Sequence, residues 1–242
     1  MFKGSVLVLA MVLLGALGAS AHADGVISMN IVTVSENFLS PELVPGNSFT
    51  AGVVPAAKWN DSTTPSGAWM GMHDDAGTWN GAEFTMYYTT NYTPQSPWPG
   101  YSAAMANEAD NKLLSGHVYN QSGTDTLAQF RYIPYAAYDV YIYYNSAAVT
   151  NNYQTFAIDG TSFSAVGSEL TMGADSAFVL SDGTNDANYV KFSNVNLAEF
   201  TLRASSTGSS YSYFNGFQIV EVPEPMTIGL LAFGGLLLRR RV

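Results

Sequence analysis

The stretch of sequence that decides the fold reads YDVYIYY and covers residues 138 to 144. Val140, Ile142 and Tyr144 fall on one side of an extended strand, and the residues between them fall on the other. A period of two residues is typical of a β-strand with one buried face and one wet face. We therefore predict a strand here, with Ile142 in the core and Tyr141 on the exposed face.

The same pattern recurs along the chain, with turn-forming residues such as Asp159-Gly160 and Asp182-Gly183 between the runs. The further period-two runs are Ile27-Met29-Ile31, Phe84-Met86-Tyr88, Phe200-Leu202 and Phe217-Ile219. Many short strands joined by such turns predict an all-β protein, an antiparallel β-sandwich. The segment from Ala103 to Leu114 has helical spacing instead, and we predict a short helix beside the sheets.

The N-terminal residues 1–23 have the pattern of a secretory signal peptide. Lys3 gives a positive start, Val6 to Leu17 are apolar, and Ala21-His22-Ala23 is an A-x-A cleavage site. We expect a signal helix, export through the Sec machinery and cleavage after Ala23, directed by Ala21 and Ala23. The alternative is a membrane anchor, but the apolar run is shorter than the roughly 20 residues that a spanning helix needs.

The C-terminal residues 223–242 have a distinct pattern of their own. Pro223-Glu224-Pro225 comes first, an apolar segment over residues 226–238 follows, and Arg239, Arg240 and Arg241 come next. The prolines end any preceding strand, and the basic end favours a cytoplasmic C-terminus. We predict a short hydrophobic, transmembrane helix over residues 226–238.

This arrangement of tripeptide, short apolar span and basic end resembles the PEP-CTERM sorting signal of exported bacterial proteins. The resemblance covers about 20 residues. It implies transient anchoring in the inner membrane, processing by an exosortase, and delivery to the cell envelope, the cell surface or the extracellular matrix. The alternative is a permanent single-pass anchor.

Residues 24–222 remain as a single domain with an acidic composition. Of the 9 Lys and Arg residues four lie in the two terminal signals, and of the 19 Asp and Glu residues one does, so this body carries a net charge of −13. Such a charge argues against a nucleic-acid partner, because phosphate binding needs clustered Lys and Arg. The absence of cysteine excludes disulfides, thiolate catalysis and zinc–thiolate sites.

The body also resembles the jelly-roll module of exported planctomycete and verrucomicrobial proteins. The matching stretches are residues 51–55 with 58–60, residues 113–116, residues 138–143 and residues 214–220. Such modules look like galactose-binding-type sandwiches, which often hold sugars or a structural calcium. The resemblance implies no particular ligand.

The sequence shows no catalytic motif. A nucleophile elbow, a P-loop and EF-hand spacing are absent, and His73-Asp74-Asp75 before Ala76-Gly77 reads as a turn. A carboxylate pair for glycoside hydrolysis is set by spatial separation, so the sequence leaves that possibility open. We predict no catalytic residue and no cofactor apart from a structural calcium.

All four tryptophans fall between residues 59 and 98, in a segment rich in Gly, Asn, Pro and Thr. One interpretation is a sugar platform, in which the apolar face of a sugar stacks on an indole and amide groups meet the hydroxyls. Its candidate glycan-binding residues are Trp59, Trp79 and Trp98. The other interpretation is that these rings fill the core of the sandwich and cover its open edge.

A second candidate is the loop that holds Asp182, Asn185, Asp186 and Asn188. Calcium takes six to eight oxygen ligands, and this loop offers several. The alternative is an Asx-rich turn before a strand that begins near Tyr189.

The sequence therefore predicts an exported, surface or matrix protein that is non-enzymatic and carbohydrate-binding. Its expected partners are the Sec machinery, an exosortase and extracellular polysaccharide, with membrane contact through the C-terminal segment. The alternatives are a secreted glycan-active enzyme and a structural or ice-binding type of surface protein.

Overall fold

A computed structural model describes residues 25–31, 50–62, 66–87, 108–115, 118–121, 123–144, 152–167, 177–185, 187–206 and 211–223. The predicted signal helix, the predicted C-terminal helix and the sorting signal beyond Pro223 lie outside these residues. Within the described ranges, no helix is long and apolar enough to cross a membrane.

In these ranges the chain forms strands almost throughout. The elements are β1 (Val26–Ile31), β2 (Asn60–Ser62), β3 (Met70–His73), β4 (Trp79–Tyr87), α1 (Glu108–Ser115), β5 (Val118–Gln121), β6 (Thr126–Arg131), β7 (Tyr138–Tyr143), β8 (Asn152–Ile158), β9 (Thr161–Gly167), β10 (Tyr189–Val195), β11 (Phe200–Ser206), β12 (Tyr211–Phe214) and β13 (Gly216–Glu221).

Two large sheets pack face to face. One has the strand order β10-β7-β13-β1-β2 and the other the order β3-β4-β6-β11-β8-β9, while β12 and β5 form a separate pair. The strands pair antiparallel except for β1 and β2, which are parallel. The predicted antiparallel β-sandwich is confirmed.

The main core lies between the two large sheets and is rich in phenylalanine. Phe84, Phe130 and Phe200 stand opposite one another on β4, β6 and β11. The ring of Phe217 on the facing sheet lies 5.3 Å from Phe84 and 4.7 Å from Phe130. The alternating residues that the sequence placed in the core, including Ile27, Met29, Ile31, Leu202 and Ile219, are buried there.

The expectation that β7 has one wet face is wrong. Ile142 is fully buried in the main core as predicted, but Tyr141 on the other face is only 8% exposed and Tyr143 is fully buried. Both tyrosines belong to a second apolar cluster on the outer face of the five-stranded sheet, together with residues of α1, residues 51–59 and Phe178. This sheet is therefore covered on both faces.

The predicted helix beside the sheets is confirmed over the residues that can be compared. Helix α1 lies within the expected segment except for its last residue, and Ala109, Leu113 and Leu114 are buried in the second cluster. Residues 103–107 lie outside the described part of the chain.

Candidate functional site

Four large aromatic side chains are exposed near the β3–β4 edge of the six-stranded sheet, beside the Arg131–Glu83 ion pair. They are Trp69, Trp79, Tyr87 and Tyr132, and we name them the aromatic cluster. Trp69 precedes β3, Trp79 opens β4, Tyr87 ends β4 and Tyr132 follows β6. Three of these rings belong to one sequence segment, with Trp79 and Tyr87 at opposite ends of β4, and the fold brings Tyr132 to the same edge from the end of β6.

Arg131 organises one half of the aromatic cluster. Its guanidinium carbon lies 3.7 Å from the centre of the Trp69 ring and 5.2 Å from that of Tyr132, both within cation–π range. Its Nε and Nη2 atoms lie 2.6 Å and 2.5 Å from Oε2 of Glu83, which faces Arg131 across the β4–β6 pair. The ion pair fixes the guanidinium, which in turn positions Trp69 and Tyr132.

Tyr132 is exposed at a cost in backbone energy. Its φ angle is 59°, in the left-handed region that bulky residues rarely adopt. Such a conformation costs on the order of 1 kcal/mol, and strain of this kind is concentrated at functional sites.

Trp79 is the most exposed large apolar side chain of the described residues, at 62%. It pairs with His73 across the β3–β4 hairpin, and its indole lies over Gly71, where an added Cβ would come within 3.1 Å of Nε1. Glycine at this position therefore allows the ring to lie close to the surface of the sheet.

The hairpin that carries Trp79 is held by the turn that the sequence predicted. Oδ1 of Asp74 accepts hydrogen bonds from the backbone N–H groups of Ala76 at 3.1 Å and Thr78 at 2.8 Å. This is an Asx turn, so the predicted turn is confirmed from Asp74 to Gly77, whereas His73 is the last residue of β3.

The other two candidate glycan-binding tryptophans, Trp59 and Trp98, do not belong to the aromatic cluster. Trp59 is 4% exposed, its Nε1 donates to the carbonyl of Ala56 at 3.0 Å, and its ring lies 6.3 Å from that of Tyr143. Trp59 is therefore buried, but in the second cluster on the outer face of the five-stranded sheet and not in the core between the sheets, and it has no free face for a sugar. Trp98 lies outside the described residues. Sequence reasoning did not single out Trp69, although it stands in the same tryptophan-rich segment.

The Asx-rich loop uses its oxygen atoms within the protein. Oδ1 of Asp182 accepts from the backbone and hydroxyl of Thr184 and the backbone of Asn185, each at 2.8 Å. The backbone hydrogen bond from Thr184 is the leading cause that lowers the pKa of Asp182. Asn185 Oδ1 accepts from the backbone of Asp182 at 2.8 Å. The loop thus forms the Asx turn that was the alternative to a calcium site.

The other two candidate calcium ligands, Asn188 and Asp186, do not complete a calcium site within the described residues. Asn188 is fully buried, and its amide bridges the backbone of Val179 and Ala177. Asp186 lies outside the described residues. Among the residues that the structure describes, no group of three or more His, Cys, Asp and Glu side chains is placed to hold a metal ion.

A further concave feature, which sequence reasoning missed, is a cleft of about 350 Å³ between the β8–β9 hairpin and the end of β10. The sequence held one signal for it, the Asp159-Gly160 turn. The opposite wall comes from a β-bulge in β10, which no local sequence pattern predicted.

Comparison with known proteins leaves the family open. No family model matches the chain, and no curated protein matches it. A structure of Bacteroides uniformis β-glucuronidase 2, covalently bound to cyclophellitol-6-carboxylate aziridine, matches with a TM-score of 0.41 and 13% identity, covering 85% of this chain and 19% of that one. A calcium-binding mutant of the same enzyme matches with a TM-score of 0.37 and 13% identity, covering 77% of this chain and 19% of that one.

A third structure is exo-β-1,3-galactanase of Phanerochaete chrysosporium with galactose, which matches with a TM-score of 0.25 and 14% identity. That match covers 62% of this chain and 32% of the galactanase. This chain thus spans about a fifth of the glucuronidase and a third of the galactanase. TM-scores this low establish neither a shared fold nor a shared function.

Proposed function

We propose that the protein is an exported, non-enzymatic β-sandwich that binds extracellular polysaccharide through its aromatic cluster. The exposed ring of Trp79 is the observation that supports this most directly. Leaving most of an indole in water forgoes roughly 3 kcal/mol of burial free energy. A second core cluster lies on the same chain, so the fold has the means to bury tryptophan, as it does with Trp59.

The chemistry of the cluster suits a sugar chain. The apolar face of a pyranose stacks on an exposed indole, and the Arg131–Glu83 pair offers a donor and an acceptor beside the rings. The pair is neutral as a whole, and the body of the protein is strongly acidic. Long-range repulsion therefore disfavours anionic polymers, and we propose that the ligand is a neutral polysaccharide.

Replacing Trp79 by alanine is expected to weaken retention on a neutral polysaccharide about tenfold, which corresponds to about 1.4 kcal/mol, with little change in melting temperature. The reason is that an exposed ring contributes to stacking but little to the core. Affinity electrophoresis in gels that contain the polysaccharide, together with thermal unfolding, measures both quantities.

The matched control is Trp59→Ala, which removes the same side chain from the second core cluster. We expect it to cost about 3–5 kcal/mol of stability through cavity formation. Unchanged retention by a stable Trp79→Ala variant would contradict the proposed binding surface. Release of new reducing ends from the polysaccharide by the wild-type protein would contradict the non-enzymatic part of the proposal.

We also propose that the sequence beyond the sandwich directs sorting. Strand β13 ends at Glu221, the N–H of Val222 donates to the carbonyl of Ala137 at 2.9 Å, and Pro223 is exposed. Within the described residues, the last backbone hydrogen bond of the domain thus stands immediately before the Pro223-Glu224-Pro225 tripeptide. This position supports a tail that is a separate unit.

Replacing Pro223, Glu224 and Pro225 by alanine is expected to leave export intact and to abolish removal of the tail. The physical reason is that the processing enzyme recognises the tripeptide, whereas Sec recognises the N-terminal signal. The mass of the exported protein, measured in cells that express the matching exosortase, tests this. A product of the same mass as the processed wild type would contradict the sorting proposal.

A further inference from the structure

The two large sheets leave a seam where their edge strands approach each other. Strand β9 is an edge of the six-stranded sheet, and β10 is an edge of the five-stranded sheet. At one end of this seam a loop bridges the edges: the backbone of Ser181 donates to the carbonyl of Tyr189 at 2.9 Å, and its hydroxyl donates to the carbonyl of Ser164 at 3.2 Å. That end is closed.

The opposite end of the seam is open and holds the cleft of about 350 Å³, which we name the seam cleft. Phe163 of β9 and Phe192 of β10 line it and meet edge to face, with their ring centres 4.9 Å apart. Phe192 is buried, but Phe163 remains 38% exposed. The seam cleft therefore presents an apolar ring to whatever enters it.

The walls of the seam cleft are built from unusual backbone. Asp159 has a φ of 44° in the β8–β9 turn, and Asn194 has a φ of 55° within the bulge that shifts the register of β10. The N–H of Asn194 donates to Oδ1 of Asp139 at 3.0 Å, which anchors the bulge. Bulges re-aim side chains and are over-represented beside binding sites.

The polar groups of the seam cleft are neutral donors and acceptors, with one carboxylate. Thr161, Ser193, Asn194 and Asn196 line it, and in the described part of the chain their side chains make no hydrogen bond to the protein. The ammonium group of Lys191 lies 2.7 Å from Oδ2 of Asp139, so its charge is already paired. Asp159 contributes a negative charge. These groups suit a ligand with several hydroxyls and no negative charge.

We propose that the seam cleft is a second binding site, which takes a single neutral sugar residue such as the end of a polysaccharide chain. Its volume of about 350 Å³ is near the lower end of small-molecule sites, which begin at roughly 300 Å³, and this matches one sugar residue better than several. The exposed aromatic cluster, in contrast, suits the interior of a chain. The seam cleft shares no residue with the aromatic cluster, so this inference does not depend on that site.

The test is saturation-transfer NMR on the full chain in a detergent without a sugar headgroup. The probes are the methyl glycosides of glucose, galactose, mannose and N-acetylglucosamine, with methyl glucuronoside as the anionic comparison. We expect at least one neutral glycoside to bind saturably with a Kd on the order of 1 mM, as a ligand of about a dozen heavy atoms does at ordinary efficiency. Methyl glucuronoside should not saturate in the same range.

Three variants separate this site from the proposed function. Ser193→Trp fills the seam cleft and is expected to weaken glycoside binding at least tenfold, whereas Ser162→Trp, on exposed β9 backbone that does not line the cleft, should leave it unchanged. Trp79→Ala should also leave monosaccharide binding unchanged. The proposal is overturned if no neutral glycoside saturates, if Ser193→Trp binds as the wild type does, if glucuronoside binds equally well, or if Trp79→Ala alone abolishes binding.

Discussion

Replacing Ile142 by aspartate is expected to prevent the domain from folding. Ile142 is fully buried in β7, opposite Phe217 on one neighbouring strand and Val190 on the other. The change removes a large apolar side chain, which costs about 2–5 kcal/mol, and buries a carboxylate that must either lose its hydration or bind a proton. The sum is comparable with the whole stability of a domain, about 5–15 kcal/mol.

The measurement is urea unfolding followed by near-ultraviolet circular dichroism, because the core contains many aromatic rings whose fixed packing gives that signal. The matched control is Thr201→Asp, on the exposed face of β11. That variant should retain a cooperative transition within about 1 kcal/mol of the wild type. A cooperatively folded Ile142→Asp protein would mean that β7 does not lie in the core.

The second face of β7 shows where a period-two pattern stops being informative. Alternation predicted the inner face correctly, but it also assigned Tyr141 to solvent. In the structure its ring lies 6.2 Å from that of Tyr189 and 5.1 Å from the ammonium of Lys191, so Tyr141→Asp should also destabilise the domain. The elements that cover this face, α1 and residues 51–59, are distant in sequence. Local alternation cannot show which sheet receives a second layer.

The candidate site residues also divide into those that local sequence could predict and those that it could not. The Asp74 and Asp182 turns depend on hydrogen bonds over two to four residues, and sequence reasoning could identify them because the chemistry is local. Trp59 and Trp79 belong to one segment and one residue type, yet one is buried and the other is exposed. The exposure of each ring depends on the sheet that it packs against, and the sequence of the tryptophan-rich segment does not indicate that sheet. The sorting signal remains a prediction from sequence.

A buried amide network explains how residues 52–54 are held over the second face. Gln218 of β13 is fully buried; its Oε1 accepts from the hydroxyl of Tyr143 and from the N–H of Val54 at 3.3 Å. Its Nε2 donates to Ser28 Oγ at 3.1 Å and to the carbonyl of Val54 at 2.7 Å. Burial raises the pKa of the Tyr143 phenol well above its ordinary value, so the phenol remains a donor.

The loop can approach this amide because of Gly52. Its φ is 94°, and an added Cβ would lie 2.5 Å from Oε1 of Gln218. The N–H of Gly52 also donates to Oδ1 of Asp110 in α1 at 2.8 Å. The side-chain amide of Gln218 therefore joins the five-stranded sheet to residues 52–54, and the hydrogen bond from Gly52 to Asp110 joins these residues to α1. Sequence reasoning could not find this network because its partners are up to 190 residues apart.

Replacing Gln218 by alanine is accordingly expected to cost about 3–5 kcal/mol of stability. The variant removes the hydrogen-bond partner of the buried Tyr143 hydroxyl and of both backbone groups of Val54. Each polar group that is left unsatisfied in this way costs about 1–3 kcal/mol, less where water reaches it. Urea unfolding measures the loss. Gln129→Ala, the same change on the partly exposed outer face of β6, is the control and should cost less than about 1 kcal/mol. Equal losses from the two variants would show that the amide network does not hold the loop, and that apolar contacts of the second cluster alone keep residues 52–54 and α1 on the sheet.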